Sequence, residues 1–296
     1  MEKKLMLIVN PAAGKGGYKQ NFGEALNVLD KGGYRTTLFF TSGRGEATRF
    51  AAEYGMEYDT VACVGGDGTL SEVISGLMQL KNPPPLGYFP MGTTNDVATT
   101  LELPKNDTVG AAQRILYGSP HAYDIGRFGD NEYFAYIAAF GAFTETSYIT
   151  PQDQKKALGH LAYLLQGISQ LPKIESIHTR IEYDCGVIEE DLLYGSMSNS
   201  TSVAGVLHLP EAMVSLGDGM SELLLVKSPV SIEDLGDIAA SVLTQRYDIG
   251  GLTILHTKKA KFTFDKPVAW TRDGEAGGEY QEITLTNRQA AINFIF

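Results

Sequence analysis

Short apolar runs alternate with amphipathic segments over about the first 120 residues of the chain. Four of these runs have the length of buried strands: 5–9, 35–40, 60–64 and 86–89. Segments with helical spacing lie between them, one ending near Leu29 and the others at about 45–54 and 70–80. Strands and helices in alternation predict βαβ units around a parallel sheet.

A different pattern begins at Asp124, where short alternating segments typical of half-buried strands become frequent. The clearest of them are 133–139, 174–183, 192–196, 221–226 and 283–286. One helix interrupts them, because apolar residues recur between Ala157 and Leu171 at spacings of three and four. The second part of the chain is therefore predicted to be rich in β-structure.

This change of pattern predicts two domains, and 296 residues are enough for two hydrophobic cores. We place the boundary near 124–128, between an α/β domain of residues 1–125 and a β-rich domain of residues 126–287. The last strand, within 288–296, is a candidate to complete the first sheet, and the sequence alone leaves this point open.

Charge and composition narrow the class of protein. The chain carries 24 Lys and Arg against 35 Asp and Glu, a formal charge of -11, which disfavours a nucleic-acid partner. Its two cysteines, Cys63 and Cys185, are far apart and its five histidines are scattered, so we expect no zinc site. The apolar stretch 5–9 is too short for a signal peptide or a membrane span, so we expect a cytoplasmic protein without a transmembrane segment.

Three glycine-bearing turns follow predicted strands, at 10–16, 65–69 and 91–96. Glycine lets a backbone approach a phosphate closely, and a helix start offers it N–H groups. Each turn taken alone also fits an ordinary tight turn or a helix cap. Because the carboxyl ends of parallel strands share one edge of a sheet, the three together predict a nucleotide cradle. Lys15 is the cation expected nearest to the phosphates.

The common nucleotide fingerprints are missing from this sequence. It contains neither G-x-x-x-x-G-K-[ST] nor G-x-G-x-x-G with an acidic residue about twenty positions later, which disfavours a Walker ATPase and a dinucleotide oxidoreductase. Asp273-Gly274 taken alone predicts a hairpin turn, because Asp-Gly is a strong hairpin signal. For Asp124, a strand-end turn and a site carboxylate are both open interpretations.

Five motifs, taken in this order, resemble the diacylglycerol kinase catalytic family, and most closely its soluble bacterial branch, which is related to sphingosine and ceramide kinases. They lie at 10–15, 65–69, 92–96, 124–126 and 273–275. The motif at 65–69 alone is shared with NAD kinases and phosphofructokinases, whereas the set of five is specific. The resemblance covers nearly the whole chain. It implies an α/β domain with a parallel sheet, like that of NAD kinase, followed by a larger β-sandwich-type domain.

The resemblance also implies an activity. Members of the family transfer the γ-phosphoryl group of ATP to a lipid hydroxyl, with Mg2+ as the metal, and diacylglycerol, giving phosphatidic acid, is the best single expectation. Kinases of sphingosine, phosphatidylglycerol, another lipid alcohol or a soluble polyol are alternatives, and so is a nucleotide-binding regulator without catalysis. A lipid substrate implies transient action at a membrane surface, and relatives often form homodimers.

Site residues are carried over to matching positions of this sequence. The residues implied to bind ATP are Asn10, Pro11, Gly14, Lys15, Thr41, Gly65, Gly66, Asp67, Gly68, Thr69, Gly92, Thr93, Thr94 and Asn95. The residues implied in catalysis are Asp67, Asp124, Asp273 and Glu275. Asp67, Asp124 and Glu275 would hold water and the catalytic magnesium, and Asp67 or Glu275 would accept the proton of the lipid hydroxyl.

A structural magnesium of the soluble bacterial branch maps to the side chain of Asp218 and the backbone carbonyls of Ser215 and Met220. Gly217 stands where close relatives often have a second aspartate, which weakens this prediction. At the catalytic site, two carboxylates 4 Å apart repel each other by roughly 4 kcal/mol at a dielectric of about 20. Clustered carboxylates beside ATP therefore require a bound divalent metal or raised pKa values.

Candidate lipid contacts are apolar and lie in the second predicted domain. They are Phe140, Phe143, Tyr148, Leu161, Leu165 and Ile168. An ordinary core position is the stronger interpretation for these side chains, because most large apolar residues are buried.

Overall fold

The computed structural model describes residues 2–142, 176–203, 207–244, 247 and 251–296. The chain divides into two compact units. Unit 1 consists of Met1–Ile125, Leu216–Asp218 and Arg288–Phe296, and unit 2 consists of Gly126–Ser215 and Gly219–Asn287.

Unit 1 alternates strands and helices along the chain. Its strands are β1 (Lys3–Val9), β2 (Tyr34–Phe40), β3 (Thr60–Gly65), β4 (Leu86–Pro90) and the first part of β5 (Pro120–Phe128). Its helices are α1 (Phe22–Lys31), α2 (Glu46–Tyr54), α3 (Asp67–Leu77), α4 (Asp96–Thr100) and α5 (Thr108–Tyr117). Short 3-10 helices span Ala13–Lys19 and Gly55–Glu57.

Unit 2 is built mainly of strands. They are the end of β5, then β6 (Glu132–Phe134), β7 (Ile137–Gly141), β8 (Ile177–Tyr183), β9 (Gly186–Ser198), β10 (Ser202–Val203), β11 (Leu207–His208), β12 (Ser221–Lys227), β13 (Leu252–Thr257), β14 (Lys259–Arg272) and most of β15 (Glu275–Ile295). A 3-10 helix spans Glu211–Met213, and helix α6 spans Ile232–Thr244. The last residues of β15 belong to unit 1.

The strands of unit 1 lie in the order β4, β3, β1, β2. β1 pairs in parallel with β2 and β3, and β3 pairs in parallel with β4. The end of β15 lies beside β4, where Phe294 pairs with Leu86. Leu7 of β1, Ala25 of α1 and Ile115 of α5 belong to one buried cluster. β3, β4 and residues 5–9 of β1 are buried throughout, as is typical of parallel strands that are covered on both faces.

Unit 2 contains an antiparallel sheet in the order β13, β12, β9, β7, β14, β15. β7 pairs with both β9 and β14, and β8 also pairs with both, so these four strands close a barrel-like ring. Aromatic side chains fill its core: the ring centroids of Phe140 and Phe262 lie 4.8 and 5.1 Å from that of Trp270. A second cluster joins Leu224 of β12 to Ile238 of α6.

The four strands predicted in the first part of the chain coincide with β1 to β4, with differences of one or two residues at their ends. The predicted strand 133–139 is divided between β6 and β7, and helix α6 was not predicted. The predicted helix between Ala157 and Leu171 lies outside the described residues.

The predicted lipid contacts have different outcomes. Phe140 belongs to the core of unit 2, in agreement with the core interpretation. Phe143, Tyr148, Leu161, Leu165 and Ile168 lie outside the described residues. Among the helices that the structure describes, none is long and apolar enough to cross a membrane.

Candidate active site

The three glycine-bearing turns of unit 1 contact one another at the carboxyl ends of β1, β3 and β4. The first turn (10–16) reaches the second turn (65–69), because Asn10 Nδ2 donates a hydrogen bond to Thr69 Oγ1 at 2.9 Å. The third turn (91–96) is joined to the end of β3 by the hydrogen bond from Met91 N to Gly65 O, at 2.7 Å. The three turns form one structure, called the cradle below.

Glycine is required where these turns touch. A Cβ atom on Gly92 would lie 2.5 Å from the Cα of Gly66, and one on Gly66 would lie 3.0 Å from the Cα of Gly92. Gly14, with φ at +53°, approaches the third turn so closely that a Cβ would lie 2.3 Å from Met91 O. The turns therefore pack backbone against backbone, which is the arrangement that leaves main-chain groups close to a bound ligand.

Asn95 fixes the shape of the third turn. Its Oδ1 accepts hydrogen bonds from Gly92 N at 2.9 Å and from the Tyr88 hydroxyl at 3.2 Å, and its Nδ2 donates to Gly92 O at 2.9 Å. The side chain is buried, and its backbone is left-handed, with φ at +54°. The structure shows Asn95 holding the turn, and its predicted contact with the nucleotide stays a prediction.

Asp67 is the first residue of α3, and the N-cap position before it is Gly66. Glycine has no side chain to cap the helix, whereas the N-cap residue of α5 is Asp107, whose carboxylate accepts a hydrogen bond from Gly110 N. Asp67 is half-buried, and its Oδ1 accepts from Val97 N at 3.4 Å. The start of an eleven-residue helix, without a side-chain cap, is a place where backbone N–H groups favour an anion.

The charge of Asp67 influences two buried groups beneath the cradle. Burial, and after it the charge of Asp67, raise the pKa of the Tyr88 phenol well above its usual value. The same two causes, in the same order, raise the pKa of the Cys63 thiol. Both groups therefore stay protonated at neutral pH, and the Tyr88 hydroxyl can serve as the donor to Asn95.

The other predicted ATP-binding residues of unit 1 lie on or beside the cradle. Thr41 is buried at the end of β2, where its N–H donates to Val9 O at 2.9 Å. Pro11 and Thr93 are exposed, and Thr94 and Gly68 are half-buried. The side chain of Lys15 lies outside the described part of the structure.

Asp124 is fully buried within β5. Its Oδ1 accepts a hydrogen bond from Ala290 N at 2.7 Å, and its own N–H donates to Leu216 O at 2.7 Å. Ala290 has a left-handed backbone, with φ at +50°. These contacts tie the last strand and the 216–218 segment to β5 within unit 1. The predicted role of Asp124 at a metal stays a prediction.

In unit 2, Asp273 and Gly274 form a two-residue hairpin turn between β14 and β15. Both have positive φ, +49° and +79°, the combination that suits the twist of a hairpin. The Asp273 carboxylate accepts backbone hydrogen bonds from Ala135, Tyr136 and Ile137, at 2.7, 3.0 and 3.2 Å. Asp273 is buried by these contacts, and the next residue after Gly274 is the exposed Glu275. The predicted hairpin turn is confirmed.

The residues predicted to hold a structural magnesium are mostly exposed. Ser215 and Asp218 are exposed, and Met220 is half-buried, with its carbonyl accepting from Asn287 Nδ2 at 2.8 Å. Gly217 packs so closely that a Cβ would lie 2.8 Å from Ala122 O. This contact is a physical reason for glycine at 217, where an aspartate is expected from the resemblance.

The donor set of unit 1 fits a nucleoside triphosphate. Gly66 and Gly92 lie so close together that a Cβ on either residue would fill the space between the two turns. The start of α3 offers backbone N–H groups as donors to a phosphate. Within the part of the chain that the structure describes, no three His, Cys, Asp or Glu side chains group closely enough to hold a metal ion. Asp67 nevertheless supplies the hard oxygen donors that Mg2+ prefers.

The chain is similar in sequence to known enzymes of one family. The sequence model of the diacylglycerol kinase catalytic domain matches residues 4–128. The diacylglycerol kinase of Bacillus subtilis (strain 168) is 34% identical over 280 residues, covering 93% of this chain and 91% of that protein. The diacylglycerol kinase of Staphylococcus aureus (strain MRSA252) is 36% identical over 292 residues, covering 94% and 88%. This chain belongs to the diacylglycerol kinase family.

Solved structures support the fold of this diacylglycerol kinase family member. A diacylglycerol kinase from Bacillus anthracis str. Sterne has a TM-score of 0.77 at 22% identity, covering 99% of this chain and 97% of that one. An NAD kinase from Archaeoglobus fulgidus, in complex with ATP, has a TM-score of 0.57 at 14% identity, covering 99% and 93%. The two-domain fold shared by bacterial diacylglycerol kinases and NAD kinase is therefore confirmed.

Two residues near the cradle were missed as site residues. Tyr88 lies inside a predicted strand, and nothing in the sequence distinguishes its buried hydroxyl from an ordinary core tyrosine. Asp96 belongs to a quoted motif but not to the predicted site, although it is buried at the start of α4 and its charge adds to the pKa shift of Tyr88. The signal for Asp96 was its position directly after Asn95.

Proposed function

We propose that this chain transfers the γ-phosphoryl group of ATP to the hydroxyl group of diacylglycerol, forming phosphatidic acid. The observation that carries the proposal is the cradle, in which three glycine-bearing turns meet at the carboxyl ends of β1, β3 and β4. Membership of the diacylglycerol kinase family supplies the reaction, because the relatives of highest identity reported above carry that name.

Unit 1 would bind the nucleotide. The predicted ATP-binding residues from Asn10 to Asn95 all lie in this unit, and the backbone of the cradle offers close approach to the phosphates. We further propose that unit 1 is the nucleotide-binding domain of residues 1–125 completed by 288–296, and that unit 2 is the second domain, 126–287. Bound ATP supplies the phosphoryl group, and Mg2+ neutralises charge on the phosphates.

Carboxylates of the chain would perform the proton transfer. Asp67, Asp124 and Glu275 are proposed to hold water around the metal, and Asp67 or Glu275 to accept the proton of the lipid hydroxyl. A positioned general base contributes about two to four powers of ten in rate. Three backbone hydrogen bonds engage the Asp273 carboxylate, which favours a positioning role for it: it fixes the turn from which Glu275 projects.

The remaining parts of the proposal concern the metal, the membrane and assembly. Ser215, Asp218 and Met220 are proposed to hold a structural magnesium, although Gly217 offers no second carboxylate. Because the substrate is a membrane lipid, the enzyme would act at a membrane surface, and a homodimer is the proposed assembly. Co-sedimentation with diacylglycerol vesicles and sedimentation velocity would test the last two statements.

The decisive experiment measures transfer of radiolabelled phosphate from ATP to diacylglycerol in mixed micelles, with and without Mg2+. The wild-type chain should produce labelled phosphatidic acid only when Mg2+ is present. Asp67→Asn and Glu275→Gln should each lower turnover by about 100-fold or more, because each removes a candidate base or metal-water contact. Glu279→Gln, a change at an exposed position of the same strand β15, is the matched control and should keep wild-type turnover.

Other lipid alcohols and a soluble polyol belong in the same assay. Labelling of sphingosine or phosphatidylglycerol in preference to diacylglycerol would change the substrate and leave the reaction standing. Labelling of water-soluble acceptors alone would remove the lipid assignment. Nucleotide binding without phosphoryl transfer to any acceptor would indicate a regulator, and unchanged turnover in both carboxylate variants would remove the proposed active site.

A further inference from the structure

Lys105 lies beside the third turn of the cradle, although it is eleven residues beyond Thr94 in the chain. After α4 the chain folds back: Leu103 N donates to Ala98 O at 2.8 Å, and Asn106 N donates to Pro90 O at 3.0 Å. The second of these hydrogen bonds ends at the last residue of β4. The backbone thus returns Lys105 to the carboxyl edge of the sheet.

The ammonium group of Lys105 is held in place by two acceptors. Its Nζ donates to Thr94 O at 3.0 Å and to the hydroxyl oxygen of Thr99. Thr99 Oγ1 in turn donates to Asn95 O at 3.1 Å, so the hydroxyl accepts from the lysine and gives its own proton to the turn. This chain of hydrogen bonds fixes a positive charge against the turn that contains Gly92.

The arrangement differs from that of an ordinary surface lysine. An ammonium group has three N–H donors, and the two described hydrogen bonds use two of them. Lys105 is exposed, so the third donor can reach a ligand from solvent. Leu101 and Leu103 are buried and anchor the segment on either side of Glu102. A long side chain with fixed partners loses less conformational freedom when it binds an anion.

The charge balance of the cradle calls for such a cation. Asp67 and Asp96 begin the two helices that follow the second and third turns, and both are carboxylates. A nucleoside triphosphate adds several further negative charges, and like charges at this spacing repel. A fixed ammonium on the third turn offsets part of this repulsion without a conformational change.

We infer that Lys105 binds a phosphate group of the nucleotide. It would use the ammonium N–H that donates neither to Thr94 nor to Thr99. This inference rests on the proposed function, because it assumes that the cradle takes ATP. It assigns a phosphate-binding cation to the third turn, in addition to Lys15 of the first turn. Loss of the Lys105 charge should weaken binding in proportion to the number of phosphates on the ligand.

The test compares Lys105→Met with a control of equal charge change, Lys31→Met. Lys31 is exposed at the end of α1, two residues before Gly33, whose carbonyl accepts from Lys3 N at the amino end of β1. It therefore lies at the opposite edge of the sheet. Binding of ATP, ADP, AMP and adenosine is measured by isothermal titration calorimetry for both variants, for Lys105→Arg and for the wild type.

Lys105→Met should weaken ATP binding by about 10-fold or more, the factor expected for a hydrogen bond to a charged group. The effect should shrink from ATP to AMP and vanish for adenosine. Lys105→Arg should restore most of the affinity, because it keeps the charge. Lys31→Met should stay within about twofold of the wild type, since a distant exposed charge is screened by salt.

Two results would overturn the inference while the proposed function stands. In the first, the wild type binds ATP and phosphorylates lipid, but Lys105→Met binds ATP as well as Lys31→Met does. In the second, Lys105→Met weakens adenosine binding as much as ATP binding, which would show that the ammonium only holds the turn. A wild type that binds no ATP would overturn the proposed function, and the inference with it.

Discussion

The second turn in unit 1 and the hairpin turn in unit 2 both place an aspartate beside a glycine, but they use backbone amides differently. At the hairpin, the buried Asp273 carboxylate accepts hydrogen bonds from the N–H groups of Ala135, Tyr136 and Ile137. At the second turn, Asp67 begins α3, and the glycine at the N-cap position has no side chain with which to cap the helix. The same pair of residue types therefore builds an anchored turn in one place and, in the other, a helix start that we propose binds an anion.

The difference lies in the strand context of each pair. Asp273-Gly274 connects the antiparallel strands β14 and β15, so its polar groups lie beside the backbone of neighbouring strands. Asp67-Gly68 leaves a parallel strand for a helix, so its amides point along the helix axis towards the sheet edge. Each turn can be disrupted separately, and the expected effects on stability and on nucleotide binding differ between them.

The largest loss of stability is expected at the hairpin. Asp273→Asn leaves one acceptor oxygen where two oxygens now accept from three N–H groups, so at least one buried donor loses its partner. The free energy of unfolding should fall by about 3 kcal/mol, because buried hydrogen bonds to a charged group are strong. Urea denaturation followed by circular dichroism measures this change.

Asp265→Asn is the control for this variant, since Asp265 is an exposed aspartate of the same strand, β14. Its effect should stay within about 0.5 kcal/mol. Turnover of Asp273→Asn should fall as well, with the KM for ATP unchanged, because the hairpin carries Glu275 and the cradle is untouched. Equal stability of the two variants would show that the three amide contacts contribute little.

A smaller loss of stability, with a specific loss of binding, is expected at the cradle. In Gly92→Ala, the new Cβ would lie 2.5 Å from Gly66 Cα and 2.6 Å from Asn95 Oδ1, so the backbones must separate. The free energy of unfolding should fall by about 2 kcal/mol, as overpacking usually does. ATP binding, measured by calorimetry, should weaken by about 10-fold or more, because the amides lose their spacing.

The matched control is Gly23→Ala, at an exposed position of α1 where a Cβ meets open space. Alanine is a better helix former than glycine, so this variant should be more stable by about 1 kcal/mol. The two Gly-to-Ala changes are thus expected to have opposite signs. A Gly92→Ala chain with wild-type ATP affinity would show that contact between the turns is unnecessary for binding.

Much of unit 1 could be predicted from the sequence, because each of its strands has a recognisable local sequence pattern. β1 to β4 are short apolar runs, and each is followed by a turn rich in glycine or polar residues. The cradle follows from this order, since parallel strands bring their carboxyl ends to one edge. The hairpin turn at Asp273 could likewise be predicted from the Asp-Gly pair.

Other features depend on contacts between residues distant in the chain, which no local pattern encodes. The three amides that bind Asp273 lie more than a hundred residues earlier, and Ala290 meets Asp124 across a similar separation. Lys105 reaches Thr94 because the chain folds back after α4, and Glu102 and Asn106 on either side of it have left-handed backbones. Gly217 departs from the family pattern in the sequence itself, but its close contact with Ala122 arises only in the folded chain.

The smallest expected effect belongs to the hydroxyl of Tyr88, beneath the third turn. Tyr88→Phe removes the hydrogen bond to Asn95 Oδ1 and should lower stability by about 1 kcal/mol at pH 7. Burial, with the charge of Asp67, raises the pKa of Tyr88 well above its usual value, so the folded chain keeps this phenol protonated in mild alkali. The unfolded chain ionises it above about pH 10.

The stability that this hydroxyl adds is therefore fully present below about pH 10 and is lost as the pH rises towards the pKa of the folded state. Between pH 10 and 11, the wild type should lose about 1 kcal/mol more than Tyr88→Phe does, so the two unfolding curves approach each other. Urea denaturation from pH 7 to 11 measures this convergence. Tyr117→Phe, at a tyrosine that is 80% exposed, should follow the wild type throughout. A difference between wild type and Tyr88→Phe that is constant with pH would show that Tyr88 ionises equally in both states, and that the third turn does not depend on a protonated phenol.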